Sequence, residues 1–288
     1  MANKMVVQEL PPFFLAGCRF VIASIFIFLI AKLLRFPLTI TRAHWKNTAL
    51  SGFFFLTLGN GLAVMALKYI DSGFSAVVIA AQPLVLLVMM RILDKKPIKL
   101  MSLVGVSLGM VGIYLLVSQD VLVSSPDQWM AVGLLLICLI SWGYGSLFVG
   151  KADLPKNAFI TCAYQMAIGG SMMLLISLIL REDISNVVRL SRPSIYAMVY
   201  LILFGSVIAF TSFNYLLKRI SPEKVATSTY INPIVAMFCG WFFLDEVITP
   251  KMVLATVILF TGVYFINTVR FEGKSKVISR NPKQPRTR

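Results

Sequence analysis

Two apolar runs of this sequence carry a proline at matching points, Pro83 and Pro233, and the matching extends well beyond the prolines. Lys68 pairs with Lys218, Ile70 with Ile220, Ala76 with Ala226, Gly112 with Gly262 and Tyr114 with Tyr264, always 150 positions apart. A constant offset maintained through turns and apolar runs marks an internal duplication. Each proline removes a backbone donor and crowds the carbonyl four residues earlier, so each helix must bend and its freed polar groups must find partners. In hydrocarbon such a break is tolerated only against protein or a wet cavity.

The runs themselves restrict the chain to a membrane. Of 288 residues, 58% are hydrophobic and 14% charged, outside the usual range for a soluble domain. No polar stretch between the runs is long enough to build a separate core. The net charge of +15 falls at run ends and in the tail, as topology would place it, so nucleic acid is not the expected partner. Cys18, Cys138, Cys162 and Cys239 lie inside apolar runs without CxxC spacing, and His44 is the single histidine. Disulfides, a metal site and histidine catalysis are therefore not expected. No cleavable signal segment is read at the start.

At about 20 residues per crossing, nine spans are predicted: Phe13–Leu34, Thr48–Leu67, Gly73–Leu93, Leu100–Val117, Met130–Val149, Ala158–Leu180, Ile195–Leu217, Val225–Leu244 and Met252–Val269. Of the 27 Lys and Arg residues, twenty fall on one set of alternate loops and seven on the other, which places the C-terminus in the cytoplasm. The duplication divides the chain into repeats at 1–118 and 130–269, followed by a basic tail, 270–288, expected to be disordered. The run Met130–Val149 has no counterpart in the first repeat, where only MANKMVVQEL precedes Pro11. The expectation is a ten-helix plan lacking most of its first helix, roughly 16 residues by this alignment. Five helices per repeat is an odd number, so the repeats lie inverted, as in secondary transporters.

Four segments carry a resemblance to a known family. These are PPFFLAGCRF, LGNGLAVMALKYIDSGFSAVVIAAQPL, ISWGYGSLFVGKADLP, and LFGSVIAFTSFNYLLKRISPEKVATSTYINPIVA followed by LDE. From about Pro11 to Asn267 the chain resembles the EamA family of the drug/metabolite transporter superfamily. The resemblance implies an all-α membrane bundle of two inverted five-helix repeats around a central cavity. It implies export of amino acids or other small metabolites, in a multi-pass protein of a cell inner membrane. No bound cofactor and no enzymatic activity are expected; the partners are a small-molecule solute and the lipid bilayer, with a homo-oligomer left open. The competing reading is a membrane protein that assembles or regulates others without transporting, or an inactive truncated remnant.

Candidate solute-binding residues follow from position. Gln82 and Asn232 each sit beside a proline at equivalent points of the repeats, either lining the cavity or belonging to a packing kink. Ser206, Phe210, Phe213 and Asn214 share one side of a helix, as a pocket wall or as packing. Trp142, with Tyr144 and Ser146, and Tyr230 complete the set. Asn60 and Gln165 are lone amides best explained by interhelical bonds. Arg19 lies about two turns inside the first span, where it either attracts an anion or ties backbone carbonyls left by the broken helices. No Asp or Glu occupies the middle of any span.

Overall fold

The computed structural model describes residues 1–95, 100–117, 125–220 and 222–268. The tail 270–288 lies outside them, as do the side chains of Tyr230, Asn232 and Pro233. The described chain is an all-α bundle. A short helix, α1 (Ala2–Val7), precedes α2 (Pro12–Leu33), and α3 (Arg42–Ala66), α4 (Ser72–Leu93) and α5 (Leu100–Val117) complete the first half. The second half holds α6 (Pro126–Lys151), α7 (Ala158–Ile179), α8 (Arg192–Leu217), α9 (Pro222–Ala226, a 3-10 turn at Thr227–Tyr230, then Ile231–Leu244) and α10 (Pro250–Thr268). Among the described residues, α2, α3, α4, α6, α7 and α8 are each long and apolar enough to cross a membrane. Their outward faces are apolar, with Ile25, Leu29, Leu175 and Leu178 exposed, as a helix surrounded by lipid requires.

Each apolar run becomes one helix because its ends carry stop signals. Ser125 and Gln128 form a capping box ahead of Pro126, and the Asn157 side chain accepts from Phe159 N at 2.9 Å, satisfying donors that the helix cannot. At the other ends, Arg35, Lys95, Arg181 and Asp245 adopt positive φ (55°, 53°, 51° and 53°), the left-handed conformation that terminates a helix. Arg35 and Arg181 are 146 positions apart, Lys95 and Asp245 150. The second is the offset of the duplicated sequence and the first differs from it by four, so the two halves end these helices at similar places.

Equivalent helices of the two halves pack on each other through glycine. A methyl built on Gly170 of α7 would meet Val21 N at 2.9 Å in α2, and one on Gly262 of α10 would meet Gly105 O at 2.6 Å and Gly109 N at 3.0 Å in α5. Backbones this close need residues without a β-carbon. Gly105 and Gly109, a weak close-packing signal in the sequence, form this contact. The helix α6 lies along α3 and α4, and α1 packs against the first turns of α8.

The two ends of the bundle differ chemically. At one end three carboxylates each cap a helix distant in sequence. Glu182 accepts from Phe13 N and Phe14 N (3.1 and 2.9 Å) at α2, and Glu9 from Ser191 N at 2.8 Å at α8. Glu246 accepts from Ser72 N and Gly73 N (2.9 and 3.2 Å) at α4. Four unpaired N–H groups and a positive dipole end make helix N-termini receptive to carboxylates. The opposite end is basic: Lys151 pairs with Asp94, His44 Nε2 lies 3.3 Å from Asp153, and Lys218 Nζ donates to Pro155 O at 2.6 Å.

Candidate functional site

The helices α3 and α8 share a feature that periodicity did not anticipate. Phe53–Gly61 and Leu201–Ile208 are π-helical, at corresponding places in the two halves. The wider turn leaves carbonyls for side chains five residues on: Asn60 Nδ2 donates to Phe55 O at 3.4 Å and Ser206 Oγ to Leu201 O at 3.1 Å. Long π segments are rare and concentrate at functional sites. Each contains a glycine over which a flat side chain lies. A methyl on Gly59 would come within 2.9 Å of the Trp142 ring, and one on Gly205 within 2.9 Å of Arg19 Nη2.

Between these segments lies a cavity of about 500 Å³, in the size range of small-molecule sites. Both halves line it. Arg19 and Phe20 come from α2, Gly59, Asn60 and Ala63 from α3, Ile79 and Gln82 from α4, Cys138 and Trp142 from α6. From α8 come Gly205, Phe210, Ser212 and Phe213, and from α9 Val225, Ser228 and Thr229. The helix breaks border it: α4 is interrupted at Ala80–Ala81, and Ile79, whose carbonyl would have bonded the N–H that Pro83 lacks, is in the wall.

An aromatic cluster forms one side. Trp142 lies 5.0 Å from Phe55 and 5.4 Å from Phe213 between ring centroids, and Phe210 stands 5.8 Å from Phe55 and 6.5 Å from Phe20. Tilted and edge-on contacts of this kind hold rings rigidly. Polar groups are few and fixed. Gln82, 4% exposed, donates through Nε2 to Leu139 O at 3.2 Å, tying the broken α4 to α6. Arg19, 5% exposed, donates through Nε to Ser206 Oγ at 2.8 Å and through Nη1 to Asn3 Oδ1 at 3.2 Å, its guanidinium 4.6 Å from the Phe20 ring centre. Among the described residues, no backbone carbonyl of the broken helices accepts from it.

Of the six residues singled out from the sequence, Arg19, Gln82 and Trp142 meet in this cavity. Asn214 is fully buried beside it, donating to Phe210 O at 3.1 Å, and is not among the lining residues. Tyr230 and Asn232 fall on side chains outside the description. Sequence reasoning missed Phe20, Cys138, Gly59 and Gly205, and gave Asn60 only a packing role. The signals were the clusters Gly59-Asn60-Gly61 and Gly205-Ser206, polar and small residues inside otherwise large apolar runs.

A profile of the EamA-like transporter family matches residues 1–118 and 129–268. The chain belongs to the EamA-like transporter family. It is 34% identical over 238 residues to the uncharacterized inner membrane transporter YedA of Escherichia coli (strain K12), covering 82% of this chain and 75% of that one. It is 23% identical to the uncharacterized transporter YoaV of Bacillus subtilis (strain 168), covering 94% and 92%. A solved crystal structure superposes with a TM-score of 0.67 at 15% identity, covering 93% of this chain and 94% of that one, which shows a shared fold. This EamA-like protein is accordingly a membrane transporter of the drug/metabolite superfamily.

Proposed function

We propose that this protein is a secondary carrier of an inner membrane that exports a small organic solute, an amino acid or related metabolite, through the cavity between its two inverted repeats. The observation that supports it is one mostly apolar cavity of about 500 Å³, walled by both repeats and bordered by a helix break that frees backbone polar groups. Two discontinuous helices meeting at a site shared by inverted repeats are what alternating access needs, because each repeat can rock against the other while the site stays fixed. The basic end of the bundle faces the cytoplasm in this reading, and reporter fusions within 181–194 and at the C-terminus test that orientation.

The function itself is tested by flux in proteoliposomes across a panel of amino acids and related metabolites. Ala63 lines the cavity, so Ala63→Phe should insert normally and abolish flux by filling it. No flux above protein-free liposomes for any solute, or full flux through Ala63→Phe, refutes the proposal.

A further inference from the structure

Arg19 is a buried cation that has no counter-ion among the described residues. Its partners among the described residues are a hydroxyl, a carboxamide oxygen and a ring face, all neutral. No carboxylate stands within ion-pairing distance of it there, and the sequence places no Asp or Glu in the middle of any span. A guanidinium stays protonated in proteins, and an uncompensated buried charge costs several kcal/mol. Two of its five N–H donors are engaged by described residues, and it lines the cavity. Gly205 leaves room for Nη2, which a β-carbon there would crowd at 2.9 Å.

Resting on the transport reading above, we infer that the cargo is an organic carboxylate and that it supplies the missing negative charge to Arg19. The remaining forked donors match a carboxylate in geometry, while Phe20, Trp142 and Phe210 accept an apolar body. One fixed cation balances one negative charge, so a doubly charged phosphate would remain half-neutralised in the cavity. A cationic solute would face Arg19 with no acidic group among the described lining residues to receive it. Gly205 is a positioning residue, holding open the space in which the guanidinium lies.

The test uses the purified full-length chain, with binding read from quenching of Trp142 fluorescence and a Trp142→Phe chain to subtract the other tryptophans. Probes share one body: 3-phenylpropionate, 3-phenylpropionamide and phenethylamine, with inorganic phosphate alongside. The carboxylate should bind at least tenfold more tightly than the amide, and the amine and phosphate should not compete. Arg19→Gln should erase the preference for carboxylate over amide. Gly205→Ala should reduce it severalfold with the charge retained, while Gly133→Ala, where a methyl meets nothing within 4 Å, should leave it intact. The comparison of probes on the unaltered chain needs no variant to fold. Equal binding of carboxylate and amide, preference for amine or phosphate, or an undiminished preference in Arg19→Gln overturns the inference. Liposome flux of the same probes separates the two readings: selective quenching without flux defeats transport and leaves the carboxylate site standing, whereas flux without selectivity does the reverse.

Discussion

Removing the Glu246 carboxylate should loosen the contact between α4 and α9. Its oxygens accept from three donors, Ser72 N at 2.9 Å, Gly73 N at 3.2 Å and the single Ser72 hydroxyl proton, shared between oxygens 2.9 and 2.8 Å from Oγ. Ser72 is 3% exposed, so water cannot fully replace them. Loss of an N-capping acceptor costs about 1 kcal/mol, and loss of a negative charge at a helix N-terminus a further 0.3–1 kcal/mol, roughly. Glu246→Ala should therefore destabilise by about 2 kcal/mol. Glu246→Gln, which keeps an acceptor and loses the charge, should cost about half that. Gly240 offers a second route to the same loss, because a β-carbon on it would occupy the place of Glu246 Oε2. The assay is thermal unfolding in detergent followed by a thiol-reactive fluorophore in a chain with Cys18, Cys138 and Cys239 replaced by serine, since the remaining Cys162 is a fully buried free thiol that reacts only when the helices part. Melting of Glu246→Ala and Gly240→Ala at the temperature of the unaltered chain, or a Gln variant as unstable as the Ala variant, would refute the reasoning.

Three further outcomes follow from the geometry. The hydroxyl and N–H of Ser191 hold the Glu9 carboxyl below its ordinary value of 4.5, so its contribution is present above that value and lost as pH falls through the lowered folded one; the melting difference between the unaltered chain and Glu9→Gln should shrink on acidification, and a difference that grows contradicts the sign. Gly262→Ala must displace the Gly105 carbonyl 2.6 Å away and should destabilise by about 1–3 kcal/mol, whereas Gly133→Ala should melt like the unaltered chain. Gln82→Ala loses one interhelical hydrogen bond, to Leu139 O, worth about 0.6 kcal/mol in a membrane; it should insert normally yet carry solute at a reduced rate, and unchanged flux would assign Gln82 to packing alone.

Span positions were legible because the length of an apolar run is set by bilayer thickness, as with Ala158–Ile179 against Ala158–Leu180, whereas polar first turns were missed, as where Arg42–Ala66 begins six residues before the expected Thr48. The 150-residue offset was legible, and it reappears between the positive-φ residues Lys95 and Asp245. What the sequence concealed depends on distant packing. Nothing near Glu182 or Glu9 indicates that each caps a helix more than 160 residues away. The π-helical register of Leu201–Ile208 was equally hidden, since a hydrogen-bonding pattern of i→i+5 leaves no compositional trace. On α8 the spacing of Ala209, Ser212, Phe213 and Leu216 puts those residues on the cavity side and turns Asn214 into the protein. Arg19 was found as an anomaly of charge in an apolar run; its partners, Ser206 at 187 positions' distance and Asn3, required the fold.

The duplicated halves are not chemically equal at the ends of their broken helices. Ser72 and Pro222 are equivalent residues, 150 positions apart, each heading a broken helix. Ser72 gives an N–H and a hydroxyl to Glu246, while proline has neither to give. For a carrier that opens one end at a time, such an inequality biases its waiting position. A contact worth about 2 kcal/mol that holds only while the Ser72 end is closed disfavours opening of that end about thirtyfold. Cutting that one contact, as in Glu246→Ala, would therefore change which end opens first as well as how firmly the helices hold together.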